Sequence, residues 1–320
     1  MSRFLRSAVC AGLALGTLLA SVSCGSQAGS SPGANDAIKV GVIPIVDVAP
    51  IYLGKEKGFF RQQHIDLTLV SSSGGSQSIT GAVSGQFQFA FGNVTSLLIA
   101  RDKGLDVKMV TSGNASTGKA GADFGAVVVP ADSHIQSAKD LAGKTVAVNN
   151  LNNIGDTTVR ASVTKAGGNA SSLKFVELAF PDMPAAVTNH HVDAAWVVEP
   201  FLTAAQKAGA RVVAWNFVDA APNLTVATYF TTGKEASSNP NLVARFKTAM
   251  AQSLQYAQSH PDEVRRIVTT YTKITADVAQ KITLPDFPPD VNRASIKVLA
   301  DLLTQSKAVS KPPDLNALLP

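Results

Sequence analysis

Three carboxylates in this chain stand where a strand-like run gives way to a helix signal. They are Asp47 after Ile45, Asp182 after Phe180, and Glu199 before Pro200. Three other corners carry small and amide side chains. One holds Ser73, Gly74, Gly75 and Ser76, a second holds Gly92, Asn93 and Thr95, and the third, residues 149–156, holds Asn150 and Asn153. Each corner offers backbone N–H groups at a helix start, and such starts favour anions. The serines and glycines suit an oxyanion such as a sulfonate or nitrate. Carboxylates facing a cleft would instead repel an anion and favour amines or heteroaromatic N–H donors. The competing role for Asp47 and Asp182 is that of a helix cap. For Glu199, beside a proline, it is a place in a hinge. The balance leans toward a neutral or cationic ring-containing solute, with an oxyanion as the rival.

Aromatic residues sharpen the first reading. Phe180 and Trp196 are placed to stack on a planar ligand, although Trp196 lies inside a strand run, where core packing is the commoner role. Tyr52 lies one helical turn in and faces either cleft or core. Phe59 and Phe60 follow a helix stop and read as core. The neighbours His190 and His191, with Asp193, invite a metal reading, but adjacent helical residues do not face one another, so no metal site is expected.

The elements that position these groups alternate between strand and helix. Residues 40–45 are a short β-branched run, too short for a helix. Pro50 suits a first helical turn, and Gly58 stops that helix. The same device recurs. Strand runs at 65–71, 87–91 and 107–112 alternate with helical segments at 77–84, where Ile79 and Val83 share a face, and 96–103. Three such corners on one sheet converge on a single cleft. The apolar run 125–130 reads as a first crossover into a second lobe, which repeats the pattern through 212–215. Residues 226–232 carry the chain back. Asn239 then caps a helix with Pro240 at its first position, and Leu242, Phe246, Met250 and Leu254 form a core-facing stripe on it. Pro261 opens an acidic-fronted helix. Residues 291–305 are the last amphipathic helix, and the Pro-rich tail 311–320 is expected to be mobile. The C-terminal helices are expected to pack on the first lobe.

Pro44, Asp47, Ala49, Pro50, Tyr52, Leu53, Gly58, Phe59 and Phe60 together resemble the opening motif of solute-binding proteins of the aliphatic-sulfonate, nitrate and thiamine-pyrimidine-precursor type. Further echoes run along nearly the whole chain. The resemblance implies an α/β, two-lobed periplasmic-binding-protein fold of type II, with lobes joined by two crossovers and a ligand cleft between them. It implies a monomeric receptor that hands a small-molecule solute to an ABC transporter permease with its ATPase, closing a hinge on binding. It implies no cofactor and no catalysis. Some fungal relatives make the thiamine pyrimidine and carry a cysteine-rich run, which this chain lacks.

The N-terminus reads as an export signal over residues 1–23, with Arg3 and Arg6 ahead of an apolar stretch. Ser23 and Cys24 resemble a lipoprotein processing site, so Cys24 is the expected lipid attachment point and the membrane a partner through that anchor; ordinary signal cleavage nearby is the alternative. Residues 24–36, rich in Gly, Ser, Ala and Asn, read as a flexible tether. The first lobe is expected over 37–127, the second over 128–225, and the rest of the first over 226–320. The chain has two cysteines, and Cys10 lies in the signal, so no disulfide or cysteine nucleophile is expected in the exported protein. The formal net charge of +5 loses two units with Arg3 and Arg6. No basic cluster suited to nucleic acid occurs. No Gly-x-Ser-x-Gly elbow and no GxGxxG fingerprint occurs either, which argues against hydrolase and dinucleotide-binding readings. A sensor feeding a kinase would need a transmembrane helix after the domain, and none is read there.

Overall fold

Short β-branched runs build two five-stranded sheets from separate parts of the chain. The computed structural model describes residues 35–319. The first sheet holds β1 (Asp36–Val42), β2 (Ile65–Ser71), β3 (Phe89–Asn93), β4 (Val107–Ala115) and, far along the chain, β10 (Thr225–Thr232), in the order β2-β1-β3-β10-β4. The second holds β5 (Gly125–Val129), β6 (Thr145–Val148), β7 (Lys174–Glu177), β8 (Ala194–Val198) and β9 (Arg211–Ala214), in the order β7-β6-β8-β5-β9. The sheets are built alike. In each, the strand that follows a crossover sits one place in from the edge and runs antiparallel to both neighbours: β10 between β3 and β4, β5 between β8 and β9. This is the two-lobed α/β arrangement, with two crossovers, implied by the resemblance.

The crossovers run side by side. Residues 116–124 leave the first sheet and 215–224 return to it, and the Ser116 N–H donates to the Leu224 carbonyl at 2.8 Å. The boundary expected between residues 127 and 128 falls inside β5, which belongs wholly to the second sheet. Its five residues are all buried, so the strand run read as a crossover is a central strand. At the other end, β10 begins at Thr225, so it takes in the last residue assigned to the second lobe.

Helices cover the sheets. In the first lobe these are α1 (Ala49–Glu56), α2 (Phe59–Gln62), α3 (Gly75–Val83) and α4 (Val94–Asp102). In the second they are α5 (Ile154–Lys165), α6 (Met183–Thr188), α7 (Phe201–Lys207) and α8 (Asn216–Ala220). After β10 come α9 (Gly233–Ser238), α10 (Pro240–Ser259), α11 (Pro261–Val268), α12 (Ala276–Lys281), α13 (Arg293–Gln305) and α14 (Leu315–Leu318). The stripe on α10 is buried throughout, and Phe246 stacks on Phe89 of the first sheet with ring centroids 4.0 Å apart. Both α10 and α11 pack on α1. α12 departs from expectation by packing on α7 of the second lobe, where Lys207 and Asp277 pair at 2.5 Å.

Other local expectations are corrected. The tether ends before Asp36, because that residue already pairs with Ile65 in the sheet and with the Arg245 guanidinium. The export signal, Cys24 and the tether as far as residue 34 lie outside the described residues. Val83 is 47% exposed, since α3 turns only Ile79 toward the core. The Asn239 side chain donates to Glu235 at 2.9 Å and does not cap α10. The tail is ordered by α14, whose Leu318 is fully buried against the first lobe and whose start is capped by Asp314. Among the described residues no helix is long and apolar enough to cross a membrane.

Candidate functional site

Asp47 lies just past β1, inside a 3-10 turn, Val46–Val48, that leads into α1. Its side chain caps no helix. It is 2% exposed, and one oxygen, Oδ2, accepts from Asn114 Nδ2 of β4 at 2.7 Å. The other oxygen has no partner among the described residues, and neither does Asn114 Oδ1. Removal from water pushes the Asp47 carboxyl up from its ordinary 3.8 to about 7, against the lowering effect of Asn114. The capping role expected for Asp47 therefore gives way to a buried, half-satisfied carboxyl.

This carboxyl helps line a cavity between the lobes. The first lobe contributes Ile45, Asp47, Phe91 and Asn93. The second contributes Asn149, Phe180 and Trp196, with Phe217 behind them. The cavity volume is 20 Å³, room for about one water molecule. A far larger open groove, 1170 Å³, follows the outer face of α10 and contains none of the corners, so the chemistry of the interlobe cavity outweighs its size.

Glu199 occupies the matching corner of the second lobe, after β8. It is 1% exposed, but its carboxylate turns away from the cavity. Its Oε2 accepts from the Thr203 N–H at 3.0 Å, and its Oε1 accepts from the Thr203 hydroxyl at 2.7 Å and the Thr283 N–H at 3.1 Å. Burial again pushes the carboxyl up to about 7, with these donors opposing. Its backbone carbonyl accepts from the Val46 N–H across the lobes at 3.0 Å. Glu199 thus ties β8 and α7 to the loop after α12; as a ligand contact it is corrected.

The remaining corners meet at the seam between lobes. Asn93 caps α4, its Oδ1 accepting from the Ser96 N–H at 2.9 Å and the Thr95 hydroxyl at 2.7 Å. Asn153 caps α5 in a reciprocal box with Asp156, and Ser96 Oγ reaches across to Asn153 Oδ1 at 3.4 Å. Asn149 Nδ2 donates to the Ser73 carbonyl at 3.5 Å. Gly74 lies so close to the second lobe that a Cβ there would stand 2.0 Å from Asn150 Oδ1. Asn150 itself donates weakly to Glu177 at 3.4 Å. The Ser73 and Ser76 side chains are exposed, and Gly92 is a β3 residue pressed against Phe230.

Two expected site residues lie elsewhere. Asp182 is exposed, neither capping α6 nor facing the cavity, because the 3-10 turn Phe180–Asp182 turns Phe180 inward and leaves its last residue in water. Tyr52 stacks on Tyr271 at 4.0 Å and belongs to the packing of α1 on the C-terminal segment. His190 sits 3.4 Å from Asp132, and Asp193 accepts from the Thr145 N–H. Among the described residues no group of three or more His, Cys, Asp or Glu is placed to hold a metal ion.

Trp196 is both core and cavity wall, a double role that strand position alone conceals. Asn149 opens the third corner, residues 149–156, whereas Asn114 is a site residue that the sequence reading did not single out. Nothing local marks Asn114, since β4 also buries Thr111 and Ser112; the approach of Asp47 sets the amide apart.

The arrangement is an aromatic-walled pocket with one carboxylate oxygen free to accept. No curated protein sequence matches the chain. The ligand-binding component of an ABC-type import system from Staphylococcus aureus, with zinc bound, is similar at 16% identity and a TM-score of 0.77, over 89% of this chain and 97% of that one. The alkanesulfonate-binding protein SsuA from Xanthomonas axonopodis pv. citri, bound to MOPS, is similar at 16% identity and 0.73, over 89% and 99%. The nitrate-binding protein NrtA from Synechocystis PCC 6803 is similar at 12% and 0.74, over 89% and 86%. At such identities the likeness is one of fold. The profile described as NMT1/THI5 like spans residues 45–264, from the Asp47 corner through both sheets into α11, and the chain belongs to the NMT1/THI5-like family.

Proposed function

We propose that this chain is the extracytoplasmic receptor of an ABC importer, closing two lobes around a small planar solute that carries N–H donors. One observation carries the reading: the Asp47 carboxyl keeps an unpartnered oxygen inside an aromatic-lined cavity between the lobes. A buried acceptor without a donor costs about 1–3 kcal/mol, more if charged, and a solute amine or ring N–H regains it. Ring faces find Phe91 and Phe180. Asn93 and Asn149 supply polar edges. The cavity is too small for a ring, so the solute enters with the lobes apart, and closure at the paired crossovers buries it with the lobes held further apart than they are here. Gly74, Ser96, Asn150 and Asn153 form the seam that closes. The similar solved structures are solute-binding proteins, which supports the receptor role. Delivery to a permease with its ATPase, a monomeric state and an anchor at Cys24 follow from the same reading; no catalytic step is assigned.

An oxyanion is the second reading, favoured by the starts of α3, α4 and α5 meeting at the seam. Asn93 and Asn153 already occupy N–H groups at two of those starts, and Asp47 repels an anion. The test is a thermal-shift and calorimetric panel of ring amines, pyrimidines, taurine, alkanesulfonates and nitrate. A ligand at 100 times its dissociation constant adds about 2.7 kcal/mol. The expected result is a ring-amine hit, weakened about 100-fold by Asp47→Asn, the scale of a lost charge-assisted bond. Stabilisation by sulfonate or nitrate, with ring amines inert, overturns the ring-amine reading.

A further inference from the structure

We infer that Trp196 is the hydrogen-bond donor of the second lobe to the solute, so that the site selects solutes bearing an acceptor in addition to the donor that Asp47 takes. The inference rests on the interlobe cavity being the solute site. Trp196 lies mid-strand in β8, opposite Val127 of β5, and is 3% exposed. Its indole N–H has no partner among the described residues. Buried indoles usually find one, and leaving a buried donor unpaired is costly.

Loose packing does not account for this. The indole is held by Phe180, with centroids 5.3 Å apart, and by Phe217 at 5.9 Å and 76°. At the start of α5, Gly155 lets the ring lie flat against the backbone: a Cβ there would stand 2.4 Å from Trp196 Cε3. Three contacts thus fix the ring, and the cavity is where it meets free space. The unpartnered buried atoms on the cavity wall are then complementary in kind. Asp47 Oδ1 accepts, Trp196 Nε1 donates, and Asn149 Oδ1 completes the set. A plain amine satisfies the first and leaves the second unpaired. An oxyanion does the reverse. An amino-substituted heteroaromatic satisfies both.

The chain has two tryptophans, and Trp215 is half-buried on the strand-to-helix link after β9. In a Trp215→Phe protein labelled with 15N at the indole, one indole resonance reports Trp196. The probes are 4-aminopyrimidine and aniline, six-membered rings with the same amino group, of which only the first carries ring-nitrogen acceptors. The expected result is a downfield move of the indole proton with 4-aminopyrimidine and none with aniline. Trp196→Phe, which keeps a ring and removes the N–H, should weaken 4-aminopyrimidine about tenfold, the scale of one neutral hydrogen bond, and leave aniline unchanged. Equal losses for both probes, or an unmoved indole proton while 4-aminopyrimidine binds, overturn the inference and leave the ring-amine reading intact. Binding of an alkanesulfonate alone, with the indole proton displaced, overturns the ring-amine reading and keeps Trp196 as donor. Should Trp196→Phe fail to fold, the indole resonance of the Trp215→Phe protein decides by itself.

Discussion

Asp47 and Glu199 are the same chemistry in the same kind of place. Each is a buried carboxyl just beyond the C-terminal end of a central strand, one per lobe, and burial pushes both to about 7. Their surroundings differ. Glu199 accepts three hydrogen bonds, from Thr203 twice and from Thr283 once. Asp47 accepts one side-chain bond, from Asn114, and keeps an oxygen free. A saturated carboxyl is a fastening, and one left half-satisfied beside a cavity waits for a partner.

The largest effect expected from this contrast is on stability. Glu199→Ala leaves the Thr203 and Thr283 donors unpaired in a dry setting, at a cost of about 3 kcal/mol. At pH 4, where both carboxyls are protonated, the melting temperature should fall by roughly 6–10 °C. Asp47→Asn should leave it within about 2 °C at that pH, because the amide still accepts from Asn114 and replaces an uncharged carboxyl. Equal losses from the two variants would erase the distinction.

Next in size is the pH dependence. A carboxyl whose folded pKa is raised holds its proton more tightly when folded, so stability is greatest below about 4 and falls as pH rises to about 7. Each of the two carboxyls contributes a loss on the order of 3 kcal/mol over that window. Melting curves from pH 4 to 8 should show Asp47→Asn flattening its share. A cationic solute that needs the ionised carboxylate should bind more weakly as pH falls below 7, by up to about tenfold per unit. A pH-independent difference between wild type and variant would contradict the assignment.

The smallest effect sharpens the comparison from outside. Asp182, the third corner carboxylate, is in water, and Asp182→Ala should change stability by less than about 0.5 kcal/mol with no change in solute affinity. A loss of affinity measured by titration calorimetry would give the second lobe a carboxylate contact that its geometry denies.

The corners and their order were legible in the sequence, because proline, glycine and β-branched runs punctuate the chain locally. Pro50 and Gly58 bracket α1 as their backbone preferences require. What was not legible depends on distant partners. Asp47 and Asp182 look alike in sequence, and only the approach of Asn114, 67 residues away, separates them. Glu199 finds Thr283 across 84 residues. The antiparallel insertions of β5 and β10 have no local mark either, since a fully buried strand reads the same in both directions. The tail misled because its prolines hide Leu318, whose burial comes from the first lobe.

Around the cavity the seam between the lobes is made of uncharged groups: Ser96 on Asn153, Asn149 on the Ser73 carbonyl, the Val46 N–H on the Glu199 carbonyl, and Gly74 against Asn150; the exposed Lys207–Asp277 pair stands apart from it, between α7 and α12. Mobile ions screen charges over about 8–10 Å and leave neutral dipoles in van der Waals contact almost untouched. Salt should therefore act on the opening and shutting of the two halves mainly through that one exposed pair, a contribution of about 0–1 kcal/mol. The two halves would keep nearly the same grip in dilute water as in brine, and would answer to acidity instead.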